Sequence, residues 1–270
     1  MLRDTDRDRY LACLLSPADK RAPLAALYAF NAELARVRDL VRDPLPGEVR
    51  LQYWRDLIDG SAHGTTEANP VAAALLDTVE RFRLPRAALH AMIDARVFDL
   101  YDDPMENRAA FEGYAGETAS ALIQLASLVL DAPAAVTCAD IAGHAGVAQG
   151  VAGALLLMPL HRSRGQIFLP KEILAATALD RDSFLAGEDR VRISAAIEAF
   201  AGFGRDHLAM ARKVGRPSAT VFSAYLPAAL AAPVLNAAAE TGAGLFERDI
   251  RPPQWRRQWT MMRATMMRRL

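Results

Sequence analysis

Cysteine is nearly missing from this chain: Cys13 and Cys138 are the only two in 270 residues. Both sit inside apolar helical patterns, so neither a disulfide framework nor a CxxC metal or redox motif can be built from them, and a reducing compartment is expected. An excess of either charge is missing too, because acidic and basic residues number 32 each. Aromatic residues make up only 7%. With no net field and few stacking platforms, nucleic acid is excluded as a partner. Lysine occurs only at Lys20, Lys171 and Lys213. The remaining basic residues are arginine and alanine is abundant, a usage that points to a GC-rich bacterial genome. The start, MLRDTDRDRY, alternates acid and base where a signal peptide needs an apolar core, so the expectation is a cytoplasmic protein without export. No alternating strand run, internal repeat, low-complexity linker or composition shift breaks the chain.

What is present is apolar material in quantity, 52% against 24% charged, enough for a sizeable core. Ser16-Pro17-Ala18-Asp19 reads as a helix start, with a Ser cap, Pro at the first helical position and an acid in the first turn. Leu24, Leu27, Asn31, Leu34 and Val41 then recur at three- and four-residue steps until Pro44 and Pro46 intervene, which predicts a helix over 18–42. The same reading predicts helices over 47–60, 70–82, 85–101, 108–130, 138–159, 170–176, 189–213, 218–239 and 252–269. An all-α bundle occupying residues 1–270 as a single domain is the simplest architecture.

Two stretches approach membrane-spanning length: Ile141 to Leu160 has no Asp, Glu, Lys or Arg, and Pro217 to Ala239 is similarly bare. Gly and Ala with His144 and Gln149 in the first, and Pro227 and Pro233 in the second, fit central helices packed on all sides better than membrane spans.

Short segments then recur in a telling order. Ala26-Leu27-Tyr28-Ala29-Phe30 follows Lys20-Arg21. Arg50-Leu51-Gln52-Tyr53-Trp54-Arg55 comes next, then Asp94-Ala95-Arg96 with Asp99-Leu100, then Ala145-Gly146-Val147-Ala148-Gln149, and last Phe168-Leu169-Pro170. In that order they are similar to the ALYAF, RLxxW, D-x-R-x-x-D-L, G-x-A-x-Q and YLP segments of squalene and phytoene synthases. The resemblance runs from about Tyr10 to Asn236. It implies an isoprenoid-synthase-type helical bundle around a central cavity, whose active members join two prenyl diphosphates head to head with magnesium held between two aspartate motifs.

Those motifs are degenerate here. Magnesium takes hard oxygen ligands in octahedral array, which a helix supplies from aspartates at i and i+4 on one face. Counting on from Phe30 places the first motif on Ala35, Arg36, Val37, Arg38 and Asp39, where only Asp39 is acidic. Glu33 lies about 200° around the helix from Ala35 and does not substitute. The second motif falls on Leu156 and Leu160 counting forward from Gln149, or on Leu157 and His161 counting back from Phe168. No Asp or Glu occurs between Asp140 and Lys171. Removing one oxyanion contact costs about 3 to 4 kcal/mol of barrier and a metal cluster more, so the family's reaction is not expected and neither is a metal or cofactor. Magnesium returns only under the reading of a prenyltransferase with an unconventional site acting on farnesyl or geranylgeranyl diphosphate.

Arg36, Arg38, Arg162 and Arg164 form a candidate metal-free anion site, since guanidinium groups grip phosphate bidentately. Solvated or acid-paired surface arginines are the alternative, with Asp39 paired to a neighbouring arginine. His144 and His161 are too far apart for a helical metal pair and His63, His90 and His207 are isolated, so all five read as structural, and no serine has a nucleophile elbow. At the C-terminus, Trp255, Trp259, Met262 and Met266 share one helical stripe, with arginines around them and no acid after Asp249. Such a helix lies on an anionic membrane or in a partner's groove, or it closes the bundle with its Trp and Met residues buried.

Within the wider family, Phe30-Asn31-Ala32-Glu33-Leu34-Ala35 and the Ala148-Gln149-Gly150 to Phe168-Leu169-Pro170 segment look most like the branch that includes a mitochondrial assembly factor for respiratory complex I. That kinship implies a non-catalytic role with a complex I subunit as protein partner, at the inner face of the membrane. A carrier that binds an isoprenoid or other lipid is the further alternative.

Overall fold

The computed structural model describes residues 2–61 and 69–270, and His63 lies outside them. Among the described residues every regular element is helical, giving an all-α bundle around a cavity of about 800 Å³. Helix ends fall where the side chains can close them. Asn69 accepts from the backbone N–H groups of Val71 and Ala72 and starts Pro70–Phe82. Asn107, Asp131 and Asp189 cap the helices after them in the same way.

Proline explains most departures from the predicted spans. Pro44 and Pro46 do not merely end the preceding helix. They sit in the first turn of Pro44–Asp59, where a missing N–H costs nothing. The predicted 138–159 helix stops at Leu156 and resumes as Met158–Ser163, because Pro159 cannot donate to the turn before it. Around Pro227, the predicted 218–239 helix breaks into Phe222–Tyr225, a 3-10 turn at Ala228–Leu230, and Ala231–Thr241.

Three differences lack a proline signal. The predicted 18–42 helix is Arg21–Ala35, a turn at Arg36, then Val37–Leu40. Ser16 is not its cap: the hydroxyl is buried, donates to the Ala12 carbonyl (2.8 Å) and lies 2.8 Å from that of Ser223. Second, Leu2–Thr5 and Arg7–Leu14 are helical in the segment read only for export signals, with Asp6 accepting from the Arg9 N–H. Third, Arg181–Ala186 is a helix closed by a reciprocal Asp180–Ser183 cap.

Ala139–Leu156 is the central element, buried by Arg190–Val214, Ala231–Thr241 and the π-turn Gly116–Ser120. Its apolar side chains point in all directions, with Ile141, Ala145, Ala148, Val151 and Leu155 buried, which accounts for its membrane-like sequence. Close approach is built into one position. A Cβ on Gly146 would lie 2.4 Å from the Ser120 backbone, so only glycine admits the crossing, and the Ser120 hydroxyl ties it by donating to the Gly143 carbonyl (2.8 Å). Phe222–Phe246 is long and apolar enough by length and composition to cross a membrane, yet most of its apolar stretch is buried inside the bundle.

Candidate functional site

The cavity lies where the two motif segments face each other. Arg21–Ala35 and the turn after it contribute Asn31, Ala35, Arg36, Arg38 and Asp39. Opposite stand Gln149 and Leu156 from the central helix, then Leu157, Leu160, His161 and Arg164. Arg162 does not line the cavity. It turns outward, donating to the Leu185 and Ala186 carbonyls at 2.9 and 3.1 Å, and stacks on Phe246.

One contact joins the two segments: Arg164 donates to Asp39 at 2.7 Å across 125 residues of sequence. The last acid of the first motif is therefore bound by an arginine from beyond the second. Arg36 pairs with Glu33 (3.1 Å), a residue of its own helix that does not line the cavity. Arg38 reaches the Arg42 carbonyl (3.2 Å) and Asp102 (3.5 Å), while its Nε is buried without a partner. The four arginines thus do not converge; three line the cavity, each on a different acid.

His161, a second-motif position in the count back from Phe168, carries no negative charge for a cation there. Burial, then the Arg164 charge, pulls its pKa down to about 4, so the ring is neutral at pH 7. It packs at a tilt against Phe168 with centroids 4.4 Å apart, and its Nδ1 is buried without a hydrogen-bond partner. Magnesium does not fit these residues. Within the two motif segments, a single carboxylate already paired with a guanidinium faces three leucines and a neutral imidazole, and the second segment carries no acid. Among the described residues no group of three His, Cys, Asp or Glu could hold a metal ion.

The third motif is divided between the cavity and the surface. Asp94 faces outward and takes two hydrogen bonds from Arg55 (2.8 and 2.6 Å), tying the D-x-R segment to the RLxxW helix. Arg96 and Asp99 face inward and meet Tyr114, which the sequence reading did not single out. Arg96 donates to Asp99 (2.9 Å) and to the Tyr114 hydroxyl (2.9 Å), which donates in turn to Asp99 (2.7 Å). Burial and then Asp99 push the Tyr114 phenol above its ordinary value, so it remains the donor this chain of bonds requires. Burial opposes the Arg96 charge, but Tyr114 and Asp99 outweigh it and raise its pKa. Gln166 closes the wall by donating to the Asp99 carbonyl (2.9 Å).

Residues from both ends of the sequence also line the cavity. Arg7, Arg9 and Asp8 line it from the N-terminal helices, and Arg251 and Arg257 from the C-terminal segment. Asp8 and Arg257 pair at 2.5 Å, and burial nonetheless raises the Asp8 pKa. The alternation of acid and base in the first ten residues and the acid-free run of arginines after Asp249 are the sequence signals for this part of the wall.

Two histidine readings need correction. His207 is not isolated: its Nδ1 lies 3.0 Å from that of His144, and its Nε2 3.1 Å from Glu112. His90 pairs with Asp59 at 2.8 Å. The C-terminal helix Gln254–Met267 also departs from the bundle-closing expectation. Met261 and Ala264 are buried, whereas Trp255, Trp259, Met262 and Met266 are 63, 64, 49 and 84% exposed.

Comparison with known proteins adds relatives to this geometry. The squalene/phytoene synthase family model matches residues 2–263. Rat NADH dehydrogenase (ubiquinone) complex I, assembly factor 6 is 33% identical over 227 residues, covering 84% of this chain and 68% of that protein. The human protein of that name is 32% identical over 212 residues, covering 78% and 63%. The chain thus spans about two thirds of the length of these relatives. A crystal structure of a dehydrosqualene synthase in complex with ligand superposes with a TM-score of 0.78 at 17% identity, covering 98% of this chain and 93% of that one.

Proposed function

The chain belongs to the squalene/phytoene synthase family, and we propose that it is a member that has left the family's chemistry and acts as an assembly or maturation factor for respiratory complex I by binding a complex I subunit. The observation that carries this reading is the Asp39–Arg164 ion pair. It engages the one carboxylate that the first motif keeps with a guanidinium, and the facing segment offers leucine and neutral histidine in place of aspartate. Identity to proteins named as complex I assembly factors supports the direction of the change. Arginine and alanine usage favours a bacterial source, with the protein in the cytoplasm at the inner face of the membrane.

Two measurements test the reading. With magnesium and farnesyl or geranylgeranyl diphosphate, pyrophosphate release is expected to equal that of a no-protein control. Chelator-sensitive release above control returns the prenyltransferase with an unconventional site. In a deletion strain, complex I activity is expected to fall and a complex I subunit to co-purify with the tagged protein; normal complex I there contradicts the assembly role.

The cavity favours a second reading, an isoprenoid or lipid carrier. Its 800 Å³ is of the size that takes a small lipid, and Phe111, Leu156, Leu157, Leu160 and Val234 give it an apolar wall. Native mass spectrometry of the purified protein separates the two, since a carrier retains a lipid of defined mass and an emptied cavity does not.

A further inference from the structure

The C-terminal helix turns its largest apolar side chains away from the protein. Successive residues advance by about 100°, so Trp255, Trp259, Met262 and Met266 fall within an arc of about 60°, opposite the Met261 and Ala264 that seat the helix on the body. Solvent-exposed tryptophan and methionine in one contiguous strip mark a contact surface.

A second observation says what covers it. Along one flank of the strip, Arg263 and Met267 lead into a pocket of about 690 Å³, walled by Arg212, Arg216, Arg263, Arg268 and Arg269. Its floor is apolar, with Ala229 and Pro233, and no Asp or Glu lines it. Arg212 donates to the Leu270 carbonyl (2.8 Å), which fixes one wall. Charge is sorted along the chain in the same sense. The last twenty residues carry six arginines and no acid, so the rest of a chain with no net charge carries six more acids than bases.

We infer that the Gln254–Met267 helix and the arginine-lined pocket beside it form a docking site for an anionic phospholipid surface. Trp255, Trp259, Met262 and Met266 enter the headgroup and upper acyl region, while the arginines take lipid phosphates. The acidic remainder is repelled by the same surface, which fixes the orientation of the bound protein. An apolar protein groove would match the strip but supplies no reason for five arginines around a cup without Asp or Glu. The inference does not depend on the assembly role, and vesicle binding is measured without a protein partner.

The test uses the full chain with vesicles of phosphatidylcholine alone and of phosphatidylcholine with phosphatidylglycerol. Trp54 is buried, so a blue shift of tryptophan emission reports on Trp255 and Trp259. The expected result is co-sedimentation and a blue shift with the anionic vesicles only. Neutralising an arginine should weaken binding about fivefold, so R263Q/R269Q loses roughly 25-fold. W255S/W259S, all at exposed positions, should lose co-sedimentation while keeping its circular dichroism. Absence of binding to anionic vesicles overturns the inference, as does equal binding to neutral ones. Concentration-dependent dimerisation abolished by W255S/W259S, without vesicle binding, overturns it in favour of a contact between copies.

Discussion

At the residue scale, the Asp39–Arg164 pair joins the two motif segments without being a large source of stability. Both side chains are partly exposed, 51 and 30%, and solvent screens such pairs to about 0–1 kcal/mol. Arg164→Ala is therefore expected to lower Tm by no more than a few degrees, measured by thermal circular dichroism. His161 is different because it is largely buried and held neutral. Its folded pKa, about 4, is below the ordinary 6.5, so the unfolded chain takes up the proton first as pH falls. Stability should be unaffected above pH 6.5 and decline between 6.5 and 4, by at most about 3 kcal/mol. His207, also depressed by burial, acts in the same direction, and the raised Asp8 acts in the opposite one. Urea unfolding of His161→Gln beside the parent isolates the contribution: the parent loses more stability across that window. Parallel pH profiles would show that the ring does not titrate there.

At the scale of elements, the central helix carries glycines with opposite tasks. Gly146 is pressed against the Ser120 backbone, whereas a Cβ on Gly143 or Gly153 meets nothing within 4 Å. Gly146→Ala is expected to cost about 1–3 kcal/mol, because backbone has to move, and Gly153→Ala to stabilise by about 0.5–1 kcal/mol. Chemical denaturation of the two variants checks the contrast, and the same sign for both would mean that the crossing is looser than the structure has it. Periodicity and proline made most of this architecture legible: Pro70–Phe82 matches its predicted span, and 108–130 is one continuous helical path. The π-turn inside that path left no mark, since a single wide turn changes hydrogen bonding without changing which residues are apolar. The break at Arg36 was equally silent, because arginine is a good helix former and the turn is set by packing. At the site, both degenerate motifs were legible by counting from flanking segments, and both line the cavity. The partners were not. Arg164 meets Asp39 across 125 residues and Tyr114 joins Arg96 and Asp99 from another helix, distances over which single-sequence spacing carries no information. The exposed Trp255 strip read equally well as core, for a stripe's period does not say which side of it faces the body.

At the scale of the whole molecule, the question is whether a cavity shaped for chemistry is still used for it. If the family's reaction survives, Asp39 is the one motif carboxylate left to it; of the other acids that line the cavity, Asp99 is held by Arg96 and Tyr114, Asp8 by Arg257 and Asp6 by Arg9. Asp39→Asn keeps the size and a hydrogen-bond acceptor for Arg164 while removing the charge, so the fold should change by less than about 1 kcal/mol. In an enzyme whose cation depended on Asp39, the same change would cost about 3 to 4 kcal/mol of barrier, several hundredfold in rate. The two readings therefore separate in a deletion strain carrying Asp39→Asn on its own promoter. Under the assembly reading, complex I activity in membranes is expected to match that of the strain complemented with the parent gene, at equal protein level. A loss of activity with a stably folded Asp39→Asn protein would put chemistry back in the cavity, whatever its substrate. Full complementation removes chemistry at Asp39 from the function and leaves binding, at the surface of the bundle or along the cavity's apolar wall, as what the fold is kept for.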